Sequence, residues 1–328
     1  MITKALIYHS YCEDPYQNIA TEKYLLETVP QGCCILYLWQ NKNTVVIGRN
    51  QNAWAECRTT LLEEEGGKLA RRLSGGGAVY HDLGNLNFTF LVPTEDYDLP
   101  RQLEVIRVAC ARAGIPAEAS GRNDLLVDGY KFSGNAFFHS QGHSYHHGTL
   151  LIDVDMDKLS RYLTPSKAKL EAKGVASVRS RVANLNTFCP GLTCNQMRQY
   201  MTEAFEEVYG VTPELLSATP AQQATVTAYK EQLSDWQWLY GPKLPFSFCC
   251  EARFDWGSIS LQLQVESGMI KAAQVYTDAM AWDISESIQK ALTGCRFMYT
   301  DMRQALNIAL TDTQVCKDIC NMLESQNI

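Results

Sequence analysis

The chain lacks the features that carry a protein into or across a membrane. No apolar run approaches the length of about 20 residues that a membrane-spanning helix needs. Residues 1–10 show neither a charged region followed by a long apolar stretch nor the Arg- and Ser-rich composition of an organelle presequence. We therefore expect a cytoplasmic protein with no membrane partner.

An excess of positive charge is also missing. The chain has 29 Lys and Arg against 36 Asp and Glu, which gives a formal net charge of −7. Proteins that bind nucleic acids are usually basic, so we expect no nucleic-acid partner. The net charge says little about small anionic ligands, because a few local arginines decide whether those bind.

The twelve cysteines lack the spacing of a redox or zinc motif, since no two are separated by two residues. Cys33-Cys34 and Cys249-Cys250 are adjacent pairs, which fit ordinary disulfide geometry poorly. The composition therefore predicts reduced and mostly buried thiols.

The length and composition predict a globular protein of two domains. The chain has 328 residues, of which 46% are hydrophobic and 20% charged. The best linker is Gly241-Pro-Lys-Leu-Pro245, with two prolines and a glycine. We expect one domain over residues 1–241 and a second over 246–328. In the second, two strands joined at Ser267-Gly268 precede helices near 284–293 and 312–323, which is typical of a small α+β module.

The periodicity of apolar residues places several elements in the first domain. Helical spacing predicts helices over 18–28, 103–113 and 197–208, and β-formers predict strands over 33–38 and 44–47. Asp128-Gly129 lies between two apolar runs, which is a strong signal for a two-residue hairpin turn.

A glycine triplet, Gly75-Gly-Gly77, follows two arginines and a serine. Glycines allow backbone angles closed to other residues, and successive exposed N–H groups suit phosphate oxygens. The pattern is neither a P-loop, because no Gly-Lys-Ser/Thr ends it, nor a dinucleotide fingerprint. It predicts a loop that cradles an anion, with a plain glycine-rich turn as the alternative.

The same stretch, Arg71-Arg-Leu-Ser-Gly-Gly-Gly-Ala-Val-Tyr-His-Asp82, resembles the signature loop of the lipoate-protein ligase A family, whose catalytic domain is similar to that of biotin ligases. Four further segments match in order: Gly121-Arg-Asn-Asp-Leu125, Lys131-Phe-Ser-Gly-Asn-Ala136, His146-His-Gly-Thr-Leu-Leu151 and a segment over 172–181. The resemblance covers nearly the whole chain. It implies an α+β fold, with a mixed-sheet catalytic domain like that of biotin and lipoate ligases and a small α+β C-terminal domain.

The resemblance also implies the site residues. Lys131 matches the lysine at the junction of acid and nucleotide, where an ammonium offsets the repulsion between two anions. The expected lipoate site comprises Trp39, Arg72 and Lys131, with Val46 and Val79 as further lining. The residues expected to bind ATP or lipoyl-AMP are Arg72, Ser74, Gly75, Gly76, Gly77, Ala78, Val79, Tyr80, Asn123, Asp124, Lys131, His147 and Thr149.

Several of these assignments compete with other interpretations. Arg72 could instead form a surface salt bridge, and residues 172–181 could be an exposed basic loop. Lysines on strands are most often solvated, and Asn123 and Asp124 could either serve the nucleotide and Mg²⁺ or cap the hairpin entry. The side chains of Arg71 and Arg72 alternate along a strand, so only one should face the ligand, and the family match favours Arg72. By resemblance, residues 172–181 form a loop that closes over the adenylate and excludes water.

Four histidines fall within nine residues: His139, His143, His146 and His147. No Asp, Glu or Cys joins them at ligand spacing, and strand alternation directs His146 and His147 to opposite faces. We therefore favour a substrate strand over a metal site. No cysteine lies between Cys110 and Cys189, which favours a route through an adenylate over one through a cysteine thioester.

The resemblance implies a two-step ligase that uses ATP with Mg²⁺ and has lipoate as its substrate. Lipoate is activated to lipoyl-AMP, and the lipoyl group then passes to a lysine of an acceptor. The implied acceptors are the lipoyl domains of 2-oxo acid dehydrogenase E2 subunits and the glycine-cleavage H protein. The alternatives are a lipoyltransferase that accepts only preformed lipoyl-AMP and a non-catalytic module that binds an acyl-nucleotide or a lipoyl domain.

Overall fold

The structure is a computed structural model that describes residues 2–120, 124–164, 182–217, 220–241 and 247–326. Asn123, the 172–181 segment and most of the predicted linker lie outside these ranges. Within them, no helix is long and apolar enough to cross a membrane.

The first domain is built on a mixed eight-stranded sheet and a small three-stranded sheet. Its strands are β1 Lys4–His9, β2 Cys33–Trp39, β3 Thr44–Ile47, β4 Lys68–Arg71, β5 Val79–His81, β6 Asn85–Pro93, β7 Glu118–Ser120, β8 Asp124–Val127, β9 Tyr130–Ser140, β10 His143–Leu151 and β11 Glu214–Leu215. The large sheet has the order β11-β1-β2-β6-β10-β9-β8-β7, and the small sheet has the order β4-β3-β5. β1 runs parallel to both β11 and β2, whereas β2, β6, β10 and β9 pair antiparallel in turn.

Helices cover both faces of the large sheet, so its central strands β2 and β6 are buried throughout. The helices are α1 Pro15–Thr28, α2 Ala53–Glu56, α3 Thr59–Glu64, α4 Leu99–Arg112, α5 Met156–Tyr162, α6 Cys194–Tyr209, α7 Pro220–Ser234 and α8 Trp236–Tyr240. The helices α4 and α6 pack on one face, and α1 with α7 on the other.

Local signals explain why the predicted helices begin and end where they do. Predicted helices over 18–28, 103–113 and 197–208 are confirmed, although each begins a few residues earlier than its apolar pattern. Pro15 starts α1, where the missing N–H costs nothing. Thr193 and Gln196 form a capping box before α6, and Gly210, at φ 64°, ends that helix.

The Asp128-Gly129 hairpin is confirmed. Both residues have positive φ, 50° and 79°, which is the conformation that a two-residue hairpin of this kind requires. The turn joins β8 to β9 and thereby fixes the register of the strand that begins just before Lys131.

The C-terminal module is α+β, as predicted. It contains β12 Phe248–Phe254, β13 Gly257–Glu266, β14 Met269–Thr277, α9 Ile284–Leu292, α10 Tyr299–Ala309 and α11 Thr313–Glu324, around a core of its own. The predicted turn at Ser267-Gly268 is confirmed by positive φ at both residues. Sequence patterns missed β12 and α10. The residue that precedes α10 is Met298, which offers no side-chain cap, so the sequence lacks a capping signal at the start of this helix.

The module rests directly on the glycine loop of the first domain. The Gly76 amide donates to the Ala279 carbonyl at 3.0 Å, and the Asn50 side chain donates to the Trp282 carbonyl at 2.8 Å. The Trp282 ring lies 5.1 Å from the Phe138 ring. Through Ala279 the module therefore contacts the predicted glycine loop, and through Trp282 it contacts Asn50 and Phe138 of the first domain.

Candidate active site

A cavity of about 380 Å³ lies between the large sheet and the small sheet. It brings together most of the predicted site residues: Trp39, Val46, Arg72, Gly76, Gly77, Ala78, Val79, Lys131, His147 and Thr149. Its other lining residues include Glu22, His81 and Asn87, which the sequence analysis did not single out. The predicted site residues Ser74, Gly75, Tyr80 and Asp124 are not among the lining residues.

The cavity has two ends that differ in exposure. Its outer end holds Lys131, with Asp124 beside it, and their side chains are 35% and 37% exposed. Its inner end holds Trp39, His81 and Asn87, which are buried. Trp39 lies on β2 and Lys131 on β9, three strands apart in the sheet order, or about 14 Å at the usual strand spacing.

A β-bulge turns Lys131 toward the cavity. Leu126 pairs with Lys131, but Leu125 pairs with Ser133, so Phe132 has no opposite residue. The extra residue reverses the alternation of faces along β9. Phe132 consequently packs under the sheet, whereas Lys131 shares the cavity face with Gly134 further along the strand.

The ammonium of Lys131 has a defined neighbourhood at the outer end. Its Nζ lies 2.5 Å from Asp124 Oδ1. The side chain also lies over Gly134, where an added Cβ would be only 3.4 Å from Nζ. The backbone of Lys131 accepts a hydrogen bond from the Ala183 amide at 3.0 Å. Asp124 therefore holds the lysine through charge and is not part of the cavity wall.

Arg72 supports the glycine loop from inside the protein. Its Nη2 donates to the carbonyls of Gly75 and Gly77, at 2.7 and 2.8 Å, and its Nε donates to Ser74 Oγ at 3.1 Å. Burial lowers the pKa of the guanidinium to about 10, so it stays charged at neutral pH. The loop is thus shaped around a buried cation that also lines the cavity.

Arg71 points the other way and serves the architecture. Its guanidinium donates to carbonyls of Arg49, Gln51 and Trp238, at 2.7 to 2.8 Å, which ties the loop after β3 to α8. Only Arg72 of the two lines the cavity. Alternation along the strand predicts that one of them does so, and the family match favours Arg72.

The glycines of the triplet are required for different reasons. Gly76 has a φ of +89°, which other residues adopt rarely. A Cβ on Gly75 would lie 2.3 Å from the Ala279 carbonyl oxygen, so this position is small because the C-terminal module sits on it. A Cβ on Gly48 would meet the Gly76 carbonyl at 2.1 Å, so Gly48 lets the loop pass close by.

Tyr80 does not reach the cavity with its side chain, contrary to the expectation for that residue. It lies between Val79 and His81 on β5, and alternation directs it to the opposite face. There it is buried against Tyr162, and its hydroxyl donates to Asn43 Oδ1 at 3.1 Å. The family motif predicts that Tyr80 belongs to the ligand site, but the alternation along β5 directs its side chain into the core.

A buried polar network lies beneath the cavity and includes a residue that the sequence analysis missed. His147 Nδ1 lies 2.8 Å from Glu22 Oε1, and His147 Nε2 lies 2.9 Å from Ser74 Oγ. Because a carboxylate only accepts, Nδ1 carries the hydrogen. Thr89 also donates to Glu22, at 2.7 Å. The missed residue is Glu22. Its sequence signal was the position of its carboxylate on the apolar face of α1, three residues after Ile19.

The clustered histidines have separate roles. His146 lies on the other face of the sheet from His147, between Asn135 and Gln102, and burial lowers its pKa to about 3. His139 contacts Ser144 at the hairpin end. In the part of the chain that the structure describes, no three His, Cys, Asp or Glu side chains are placed to hold a metal ion.

All twelve cysteines are free thiols, as predicted, and burial raises the pKa of several, including Cys34 and Cys110. Among the described residues that line the cavity there is no cysteine. The described lining of the cavity therefore contains no cysteine that could act as a nucleophile toward a bound ligand.

Comparisons with known proteins agree on one family. The family model described as lipoyl protein ligase A/B catalytic domain matches residues 14–206, and the model described as bacterial lipoate protein ligase C-terminus matches residues 243–322. The chain is 43% identical over 301 residues to lipoate-protein ligase A of Blochmanniella pennsylvanica, covering 89% of this chain and 88% of that protein.

Two solved structures extend the likeness to the fold. P. falciparum LipL1 in complex with lipoate has a TM-score of 0.84 and 27% identity, and the match covers 97% of this chain and 98% of LipL1. A bi-partite lipoate protein ligase from Thermoplasma acidophilum, studied with its E2 lipoyl domain, has a TM-score of 0.66 and 25% identity. That match covers 76% of this chain and all of the archaeal chain.

Proposed function

The chain belongs to the lipoate-protein ligase A family, and from this premise we propose that it joins lipoate to a lysine of an acceptor protein in two ATP-dependent steps. First, a carboxylate oxygen of lipoate attacks the α-phosphorus of ATP, so that lipoyl-AMP forms and pyrophosphate leaves. The acceptor amine then attacks the activated carbonyl, which releases AMP and forms an amide. The amine gives up its proton as the amide forms.

The observation that carries this proposal is the placement of Lys131 by the bulge in β9. Lys131 lines the same cavity as Gly76 and Gly77 of the glycine loop, and there a carboxylate and a phosphate would have to meet. Two anions repel each other, and a compact cation between them offsets that repulsion as the new bond forms. Arg72 supports the loop on the other side of the meeting point.

The donor set fits a magnesium ion that arrives with the nucleotide. Mg²⁺ is commonly held by one or two carboxylates together with substrate phosphates and water. Asp124 is the carboxylate next to Lys131, and we propose that it binds this ion when ATP is present. When bound, the ion would neutralise phosphate charge.

The acceptors that we propose are E2 lipoyl domains and the glycine-cleavage H protein. The archaeal relative that resembles this chain was studied with an E2 lipoyl domain, which supports the first of these. The cytosol remains our proposed compartment. The division into domains of 1–241 and 246–328 also remains a proposal, supported by the separate core of the C-terminal module.

A single incubation tests the function. The protein is mixed with ATP, Mg²⁺, lipoate and an apo lipoyl domain, and the acceptor is weighed while released pyrophosphate is measured. We expect one lipoyl group per acceptor and pyrophosphate in equal amount. Transfer from supplied lipoyl-AMP without pyrophosphate release from ATP and lipoate would identify a lipoyltransferase instead. Binding of lipoyl-AMP without any transfer would identify a binding module.

A further inference from the structure

The inner end of the cavity contains a histidine whose hydrogen position is fixed by its neighbours. His81 is 3% exposed and lies in an edge-on arrangement with Trp39, at 6.2 Å between ring centroids. One ring nitrogen, Nδ1, lies 3.2 Å from Asn41 Nδ2. The other, Nε2, has no hydrogen-bond partner among the described groups, although His81 lines the cavity.

A series of buried hydrogen bonds determines which of these two nitrogens carries the hydrogen. Asn18 Nδ2 lies 2.8 Å from the carbonyl oxygens of both Cys12 and Gln40, and main-chain carbonyls only accept. The same Asn18 nitrogen lies 2.9 Å from one amide atom of Asn41, and because two NH2 groups do not face each other at this distance, that atom is the oxygen Oδ1. The remaining amide atom of Asn41 is therefore nitrogen, and it donates to His81 Nδ1. His81 Nδ1 accepts, so its hydrogen is on Nε2.

The surroundings keep His81 in this neutral form. Burial, together with the positive charge of Arg72 and the neighbouring His147, lowers the pKa of His81 to about 3. At neutral pH the side chain therefore presents a single N–H donor to the cavity. A buried donor that finds no acceptor costs free energy, so the inner end favours a ligand that brings one.

We propose that His81 selects the ring of the acyl substrate by donating its Nε2–H to a ring sulfur, and so sets a preference for lipoate over a straight-chain acid of similar length. This inference rests on the proposed function, which places the carboxylate of the acid at Lys131. The strands that carry Lys131 and Trp39 are about 14 Å apart, and the Lys131 side chain covers part of this distance, so the tail extends from the Lys131 ammonium toward Trp39 and His81. A disulfide sulfur is a weak acceptor, whereas an alkyl tail has none.

The test compares lipoate with octanoate in the full-length protein. The ratio of kcat/KM for the two acids is measured for the wild type, for His81→Leu and for His81→Gln. We expect His81→Leu to lower the ratio of lipoate to octanoate by about two- to tenfold, the range of one neutral hydrogen bond. His81→Gln, whose amide N–H reaches a similar position, should restore most of the preference.

Matched controls keep the result specific. His139→Leu removes a histidine of the large sheet that does not line the cavity, and it should leave the ratio unchanged. Thermal unfolding verifies that each variant folds, and His81→Met, which also lacks a donor, replaces His81→Leu if the latter does not fold. An unchanged ratio in a folded variant without the donor overturns the inference, as does a wild type without preference. Absence of ATP-dependent transfer of either acid by the wild type would instead overturn the proposed function.

Discussion

The two ends of the cavity use charge in opposite ways. At the outer end, Lys131 and Asp124 form an ion pair that is about one-third exposed, on a hairpin strand interrupted by a bulge. At the inner end, Trp39 donates to Thr89 and Thr89 donates to Glu22, so this end belongs to the buried hydrogen-bond network of Glu22 and His147, which are 0% and 7% exposed. The outer pair can exchange partners cheaply, because water screens both charges.

The difference indicates a division of labour. Lys131 has to release Asp124 in order to bind a carboxylate and a phosphate, and Asp124 has to release Lys131 in order to bind a metal ion. An exposed ion pair allows both exchanges. A wall that distinguishes one tail from another must be rigid, and a buried hydrogen-bond network provides rigidity because losing any member is costly. We therefore assign chemistry to the outer end and selection to the inner end.

Removing the charge at the outer end should give the largest effect. Lys131→Ala is expected to reduce pyrophosphate release by about 100- to 1,000-fold while the protein stays folded. Lys131→Arg should also fail badly, because a broad planar fork does not replace a compact ammonium between two anions. Lys271→Ala, an exposed strand lysine of the C-terminal module, is the matched control. Near-normal release by either folded Lys131 variant would refute the assigned role.

Changing the loop over the cavity should have the next largest effect. At Gly76, a valine meets both a positive φ and the guanidinium of Arg72, which would be 3.0 Å from its Cβ. We expect Gly76→Val to weaken ATP or lipoyl-AMP binding by tenfold or more, measured by calorimetry. Gly142→Val is the control, since Gly142 also has a positive φ, +79°, but no atom within 4 Å of a Cβ. Equal nucleotide affinity in both variants would contradict the anion cradle.

Disturbing the buried network should chiefly affect stability. Glu22→Gln keeps the shape of the side chain but replaces Glu22 Oε2 with an amide nitrogen. Because Oε2 has no partner among the described groups, the new N–H donors find no acceptor there. We expect a loss of about 1–3 kcal/mol in the free energy of unfolding, measured by denaturant titration. Adenylate formation at saturating lipoate should change little. A large fall in kcat without loss of stability would place chemistry at the inner end and break the comparison.

The smallest effect on the cavity itself is expected from Gly75→Ala. The nearest atoms to the added Cβ are the carbonyl groups of Ala279 and Met280, and the Cβ collides with both. The substitution should therefore loosen the C-terminal module from the loop. We expect slower activation of lipoate, with transfer from supplied lipoyl-AMP retained, because activation needs water excluded and transfer does not need the module docked. Unchanged activation would assign the module another task.

Sequence patterns predicted the parts of this arrangement that have local causes. Residue type and spacing predict the Asp128-Gly129 turn and the glycine loop. They also predict that the side chains of Arg71 and Arg72 point to opposite sides. They do not predict the bulge at Phe132, because no glycine or proline marks it and only the pairing of β8 with β9 creates it.

The inner end was the least predictable region. Glu22 appears in the sequence as one more helical carboxylate, and its burial results from β10 and β6 packing against α1. The donor of His81 depends on Asn18 and Asn41, which are far from it in sequence. Tyr80 shows the converse, since its motif suggests a ligand contact that strand alternation rules out for the side chain.

The most direct test of this account is a crystal structure with lipoate and a non-hydrolysable ATP analogue. We predict the lipoate carboxylate within about 3 Å of Lys131 Nζ, a hydrogen-bond distance, and the dithiolane ring beside His81 and Trp39. A reversed acid, with its ring at Lys131 and its carboxylate at His81, or an acid bound outside the cavity, would contradict the division between a reacting end and a selecting end.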